Sequence, residues 1–154
     1  MADGQCLCGK VRYEVSGSLG DVRYCHCSRC RRATGSAFSA NAKIPARRFA
    51  LLAGQERVRE YEEKAGTFRA FCASCGSPIY ARLDREPEHI RVRLGGLSGE
   101  LDARITAHVW LSSKSSWYEI ADSLPRYSES AEGPPLLEGK QTEEHRSIRR
   151  PESE

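Results

Sequence analysis

Apolar and polar residues alternate over 10–15, 22–25, 68–71, 78–83 and 89–94, and a period of two predicts β-strands with one buried face. Gly17, Gly20, Gly54, Gly66, Gly76 and the pair Gly95-Gly96 punctuate these runs at turn-like intervals, which favours antiparallel hairpins over a βαβ alternation. Helix is scarce. The clearest piece is 28–34, where Ser28 is placed to cap the amino end and Gly35 to close the carboxyl end in the left-handed conformation. A further helical turn is expected from Pro45, before a return to strand over 49–52. The fold class read from this pattern is mainly β.

The length of 154 residues suits a single domain with some excess. The excess is placed at the carboxyl end: residues 1–128 form the expected domain. From Glu129 to Glu154, Ser, Glu, Gly, Pro, Gln and Arg dominate, with Leu136, Leu137 and Ile148 as the aliphatic residues, as in a disordered tail. His89 and His145 are expected to face solvent. Aromatic residues make up only 8% of the chain, so the core needs help from cross-links.

All seven cysteines lie in clusters: Cys6-x-Cys8, Cys25-x-Cys27-x-x-Cys30 and Cys72-x-x-Cys75. The number is odd, and residues 1–10 hold no apolar run of the secretory kind. A reducing, cytoplasmic setting and metal thiolates are therefore expected rather than disulfides. Zinc takes four such ligands in a closed structural site and three in a site left open for chemistry. Spacing allows two partitions. Cys27/Cys30 with Cys72/Cys75 make a zinc ribbon, whereas Cys6/Cys8 with Cys72/Cys75 leave a local triad of Cys25, Cys27 and Cys30. In the second, the backbone must curl at Cys6-x-Cys8, because side chains two apart on a flat strand stand about 7 Å apart. His26 lies between two candidate ligands, but strand alternation turns it to the opposite face.

Three longer stretches carry a resemblance. Gly4-Gln5-Cys6-Leu7-Cys8-Gly9-Lys10-Val11-Arg12-Tyr13-Glu14, the run from Cys25-His26-Cys27-Ser28-Arg29-Cys30 through Phe38, and Phe71-Cys72-Ala73-Ser74-Cys75-Gly76-Ser77-Pro78-Ile79-Tyr80 are similar to the successive motifs of the glutathione-dependent formaldehyde-activating enzyme family, which also contains centromere protein V. The segment from His108 through Lys114 and Trp117 to Tyr127 resembles the family's close, with Ser115-Ser116 where members often carry a proline. The resemblance implies an antiparallel β-tent type fold stapled by zinc, with one or two very short helices. It also implies two zinc ions per chain, a structural one on Cys6, Cys8, Cys72 and Cys75 and a catalytic one on Cys25, Cys27 and Cys30. The implied activity is the reversible joining of glutathione and formaldehyde, a carbon-sulfur lyase reaction.

The chemistry of three thiolates agrees with that implication. They leave a zinc complex at net −1 with weak Lewis acidity, suited to a fourth sulfur more than to a strong hydroxide. Glutathione is an anion, so Arg29, Arg31, Arg32 and Lys114 are candidate clamps for its carboxylates. His108, following Ala107 in an apolar strand, is a candidate proton carrier or an ordinary hydrogen-bonded strand histidine, and Trp117 a candidate substrate wall or a core residue. A zinc-stabilised binding module without catalysis is the competing function, as is action on another small thiol or electrophile. The net charge of +3 is interleaved rather than patched, which argues against an extended nucleic-acid footprint. No run approaches the roughly 20 apolar residues of a membrane span.

Overall fold

The computed structural model describes residues 1–131, 135 and 136. It is mainly β: strands β1 (Ala2–Gln5), β2 (Arg12–Val15), β3 (Gly20–Cys25), β4 (Ser39–Pro45), β5 (Phe49–Ala53), β6 (Val58–Lys64), β7 (Thr67–Cys72), β8 (Pro78–Leu83), β9 (His89–Arg93), β10 (Leu97–Ser98) and β11 (Ala103–Val109), with one helix, α1 (Ser28–Thr34). The turn expected from Pro45 is a 3-10 turn over Ala46–Arg48. Most of the tail expected from Glu129, with Leu137, His145 and Ile148, lies outside the described residues. Leu136 is described: it is exposed, and its N–H donates to the Arg126 carbonyl.

The strands form two open sheets in the orders β10-β1-β2-β5 and β11-β3-β4-β9-β8-β7-β6. All pairings are antiparallel except β11 with β3, which run parallel from Ala103 opposite Gly20 to Val109 opposite Cys25. A hairpin forces antiparallel pairing, but these two strands are separated by most of the domain and carry no such constraint. The core lies where inward faces of both sheets meet: Val11, Tyr13 and Val15 from the first, Val22, Ala42, Ile44, Ile79 and Val92 from the second. Cys6 and Cys72 belong to the same cluster, so the cysteine chemistry is continuous with the packing.

Two elements position the cysteines. At the end of β1 the chain curls as the spacing demanded: Gly9 N–H donates to the Cys6 carbonyl, Cys6 N–H to that of Val11, and Gly9 takes φ 71°. The β7–β8 turn repeats this design, with Gly76 N–H donating to the Cys72 carbonyl and Cys72 N–H to that of Ser77. Helix α1 closes as expected on Gly35 at φ 64°, but its amino cap is Cys27 rather than Ser28. Cys27 is the residue with extended backbone before the helix, and its sulfur accepts the Cys30 N–H at 3.3 Å.

Candidate metal centres

The four sulfurs of Cys6, Cys8, Cys72 and Cys75 lie within 4.8 Å of one another. A zinc ion bonded at about 2.3 Å in a tetrahedron separates its sulfurs by roughly 3.8 Å. Cys6 Sγ stands 3.5 Å from Cys8 Sγ, and Cys8 Sγ 4.0 Å from Cys72 Sγ, so the group fits. The neighbours divide the thiols: the Lys10 N–H favours ionisation of Cys8, but burial and the Cys6, Cys75 and Cys72 thiols outweigh it and push Cys8 up to about 11, while Cys6 and Cys75 go down. Burial works against ionisation of Cys6, but the Val11 N–H and the Cys8 and Cys72 thiols outweigh it and hold its pKa below the usual thiol range. The Ser77 hydroxyl and N–H bring Cys75 down to about 5. Ser77 Oγ also accepts the Leu7 N–H at 2.9 Å, which joins the two knuckles.

Cys25, Cys27 and Cys30 form a second group, again with sulfurs within 4.8 Å. They come from the end of β3, the cap of α1 and its first turn. All seven cysteines are free, and no fourth His, Cys, Asp or Glu among the described residues joins this triad. Hydrogen bonds from Cys25 and Cys30, with the Cys30 and Arg29 N–H groups, pull the Cys27 pKa far down against its burial, while Cys27, Cys30 and burial push Cys25 up. A divalent ion binds such thiols as thiolates and displaces the protons they hold. Both groups are consistent with zinc, and their membership is that of the second partition; the ribbon grouping does not form.

His26 turns away from the triad, as alternation predicted. It is fully buried, with Nε2 2.8 Å from His108 Nδ1, while His108 Nε2 lies 3.0 Å from an Asp122 carboxylate oxygen. Burial, with the charges of His108 and Lys114, lowers the His26 pKa to about 4, so the ring is neutral. His108 is fully buried with both nitrogens engaged, and of the two roles open to it the hydrogen-bonded strand histidine fits this geometry. Tyr24, Phe38 and Tyr118 pack around the pair.

A cleft of about 500 Å³ is lined by Arg29, Arg32, Arg69 and Arg93 with Tyr61, Glu63, Phe71 and Tyr80; the triad cysteines are not in its lining, but Arg29 and Arg32 stand on α1, the helix that carries Cys30. That size is ordinary for a small-molecule site. Of the four cations singled out in the sequence, Arg29 and Arg32 reach the cleft. Arg31 instead donates to the carbonyls of His26 and Ser113, and Lys114 to those of Ser115 and Tyr118, so both are spent on backbone. Trp117 is 71% exposed and packs edge-on against Tyr118, so it is not a core residue. Arg69 and Arg93 were missed. They stand on β7 and β9, more than thirty residues from the triad in sequence, and only the sheet order brings them beside it.

Among the described residues no helix is long and apolar enough to cross a membrane. A family model described as glutathione-dependent formaldehyde-activating enzyme matches residues 1–113. Two curated relatives are both named "Putative glutathione-dependent formaldehyde-activating enzyme". The one from Fusarium vanettenii is 26% identical over 115 residues, covering 75% of this chain and 55% of the relative. The one from Colletotrichum graminicola is 28% identical over 117 residues, covering 75% and 55%. The chain thus spans about half the length of the curated relatives it matches. A crystal structure of a Rhodobacter sphaeroides protein is similar at 27% identity with a TM-score of 0.54, over 66% of this chain and 99% of that one.

Proposed function

The chain belongs to the glutathione-dependent formaldehyde-activating enzyme family, and from that premise we propose that it is a cytoplasmic two-zinc enzyme of carbon-sulfur lyase type, joining a small anionic thiol such as glutathione to an aldehyde such as formaldehyde. The observation that carries this reading is the triad: three sulfurs within reach of one ion, with no fourth donor from the described residues to complete the tetrahedron. Zinc bound there supplies an open position that favours the thiolate form of an incoming sulfur ligand. Zinc on Cys6, Cys8, Cys72 and Cys75 is structural.

The chain's own residues do the rest. Cys27 fixes the triad to the first turn of α1 through the Cys30 N–H. The hydrogen-bonded His26, with its ring directed at His108, keeps an imidazole from capping the open position. Arg29 and Arg32, on the exposed rim of the cleft, hold the thiol's carboxylates and so aim its sulfur inward. In the addition the thiolate forms a bond to the carbonyl carbon, the carbonyl π pair moves to oxygen, and the thiol's proton ends on that oxygen; no electron acceptor is needed.

The test is adduct formation from glutathione and formaldehyde by the two-zinc protein, followed by NMR exchange and corrected for the spontaneous reaction. Acceleration that scales with occupancy of the second zinc supports the proposal. A protein with both ions bound and no acceleration would be a zinc-stabilised binding module instead.

A further inference from the structure

Arg69 and Arg93 are the two most buried cations of the cleft, Arg69 beside the still more buried Glu63. Arg93 is 5% exposed. Its Nη1 donates to Ser39 Oγ at 2.8 Å and to Asn41 Oδ1, and these two side chains bond each other at 3.0 Å, so the guanidinium is held in one direction by neutral groups. Its Nε is buried with no partner among the described residues. Arg69 donates through Nε to Glu63, which also pairs with Arg29 at 3.2 Å. Burial weighs on both guanidiniums. Arg93 bonds Ser39, the residue paired with Cys25 across β3 and β4, which places it at the triad's strand end, and the Cys30 sulfur acts on both guanidiniums.

The cleft lining thus carries four guanidiniums against one carboxylate, Glu63. A zinc ion on three thiolates adds one negative charge, which leaves positive charge unbalanced. Arg93 is met by neutral groups on Nη1 and has no carboxylate of its own, so its bare Nε is a donor left open to an anion. Position selects which anion. In glutathione both carboxylates lie several bonds from the sulfur, and the exposed rim arginines, Arg29 and Arg32, suit them. The inner pair lies deeper than the rim, where a carboxylate attached to the reacting carbon itself is suited to meet it.

Resting on the thiol-aldehyde reading above, we propose that Arg69 and Arg93 form a carboxylate-recognition subsite, so that the preferred carbonyl partner is a 2-oxo acid, glyoxylate being the smallest, rather than an uncharged aldehyde. The thiolate adds to the aldehyde carbon of glyoxylate, the carbonyl π pair moves to oxygen, and the thiol's proton completes the hydroxyl of a 2-hydroxy-2-thio acid. Nothing is oxidised or reduced. Neutral formaldehyde offers nothing for the inner pair to hold, whereas a bidentate carboxylate satisfies the orphaned Nε and adds a charge-assisted contact.

The experiment compares glyoxylate and formaldehyde with glutathione on the full-length two-zinc protein, each rate expressed over its uncatalysed reaction. The expected kcat/KM ratio favours glyoxylate by about tenfold or more, the scale of a charged group met by a matching site. Arg93→Lys, which keeps the charge but loses the fork, and Arg69→Gln, at a less buried position, are each expected to lower that ratio about tenfold. Equal acceleration of the two carbonyls, or variants that leave the ratio unchanged, would mean that the pair merely balances sulfur charge and would overturn the subsite. Acceleration of formaldehyde alone overturns only this inference. Acceleration of neither overturns the thiol-aldehyde reading with it.

Discussion

Cys27 does two jobs with one sulfur: it belongs to the triad and it caps α1. Serine is among the best capping residues but a poor zinc ligand, so Cys27→Ser separates the two. The variant is expected to keep its melting temperature within a few degrees while bound zinc falls from two equivalents to one and thiol addition is lost. Metal analysis beside a thermal scan checks this. A second contrast lies along the same helix. Arg31 ties α1 to the carbonyls of His26 and Ser113, whereas Arg32 is exposed on the cleft. Arg31→Ala is expected to cost about 1 to 2 kcal/mol in denaturant unfolding. Arg32→Ala is expected to leave stability unchanged within about 0.5 kcal/mol and to raise KM for the thiol. The sequence shows both as members of one basic run; which arginine is taken up by backbone depends on a loop more than eighty residues away.

At the scale of elements, alternation made Pro78–Leu83 legible to the residue, because β8 is paired on both sides and has a distinct buried face. It failed at β6, an edge strand whose VREYEEK sequence is largely exposed, and at β4, where Ser39 and Ala42 fill inward positions usually held by large apolar residues. β1 was hidden for a steric reason. Gly4 pairs with Tyr13, and a Cβ on it would come within 2.1 Å of the buried Tyr13 ring, so the tyrosine fills the place of a missing side chain. Gly4→Ala is therefore expected to destabilise by about 2 to 3 kcal/mol, lowering the denaturant midpoint at an unchanged slope. Electrostatics joins the neighbouring strands β4 and β9: Glu86 bonds Lys43 at 2.7 Å and Arg91 at 3.0 Å, and these cations bring its pKa from the usual 4.5 down to about 2. A carboxyl depressed in the folded state contributes its stability above its ordinary pKa and loses it as pH falls towards the depressed one. Glu86→Gln is expected to cost about 1 kcal/mol at neutral pH after allowance for solvent screening. That cost should shrink between pH 4.5 and 2, a loss readable from denaturant curves across that range.

For the whole molecule the decisive difference between the metal groups is how much chain each encloses. Residue type and spacing gave the clusters, but from spacing alone the ribbon partition stood level with the observed one; it loses because the β1 curl and the β7–β8 turn meet where the two sheets share a core. The four-cysteine group therefore closes a long loop and ties one sheet to the other. Removing its ion should release an amount of chain entropy comparable with that of a long-range cross-link, on the order of 4 kcal/mol. The triad spans a single strand end and the start of a two-turn helix, and Cys25 and Cys27 remain partly exposed, so a chelator reaches its ion without opening the core. Chelation of the two-zinc protein is then expected to be biphasic. The first equivalent leaves while circular dichroism and melting temperature hold; the second leaves slowly, and the fold goes with it. An added small thiol should slow the first phase and not the second, because only the triad has a position for it. Simultaneous loss of both ions with the fold would place the triad inside the structural framework and remove the division of labour on which an open, reactive centre depends.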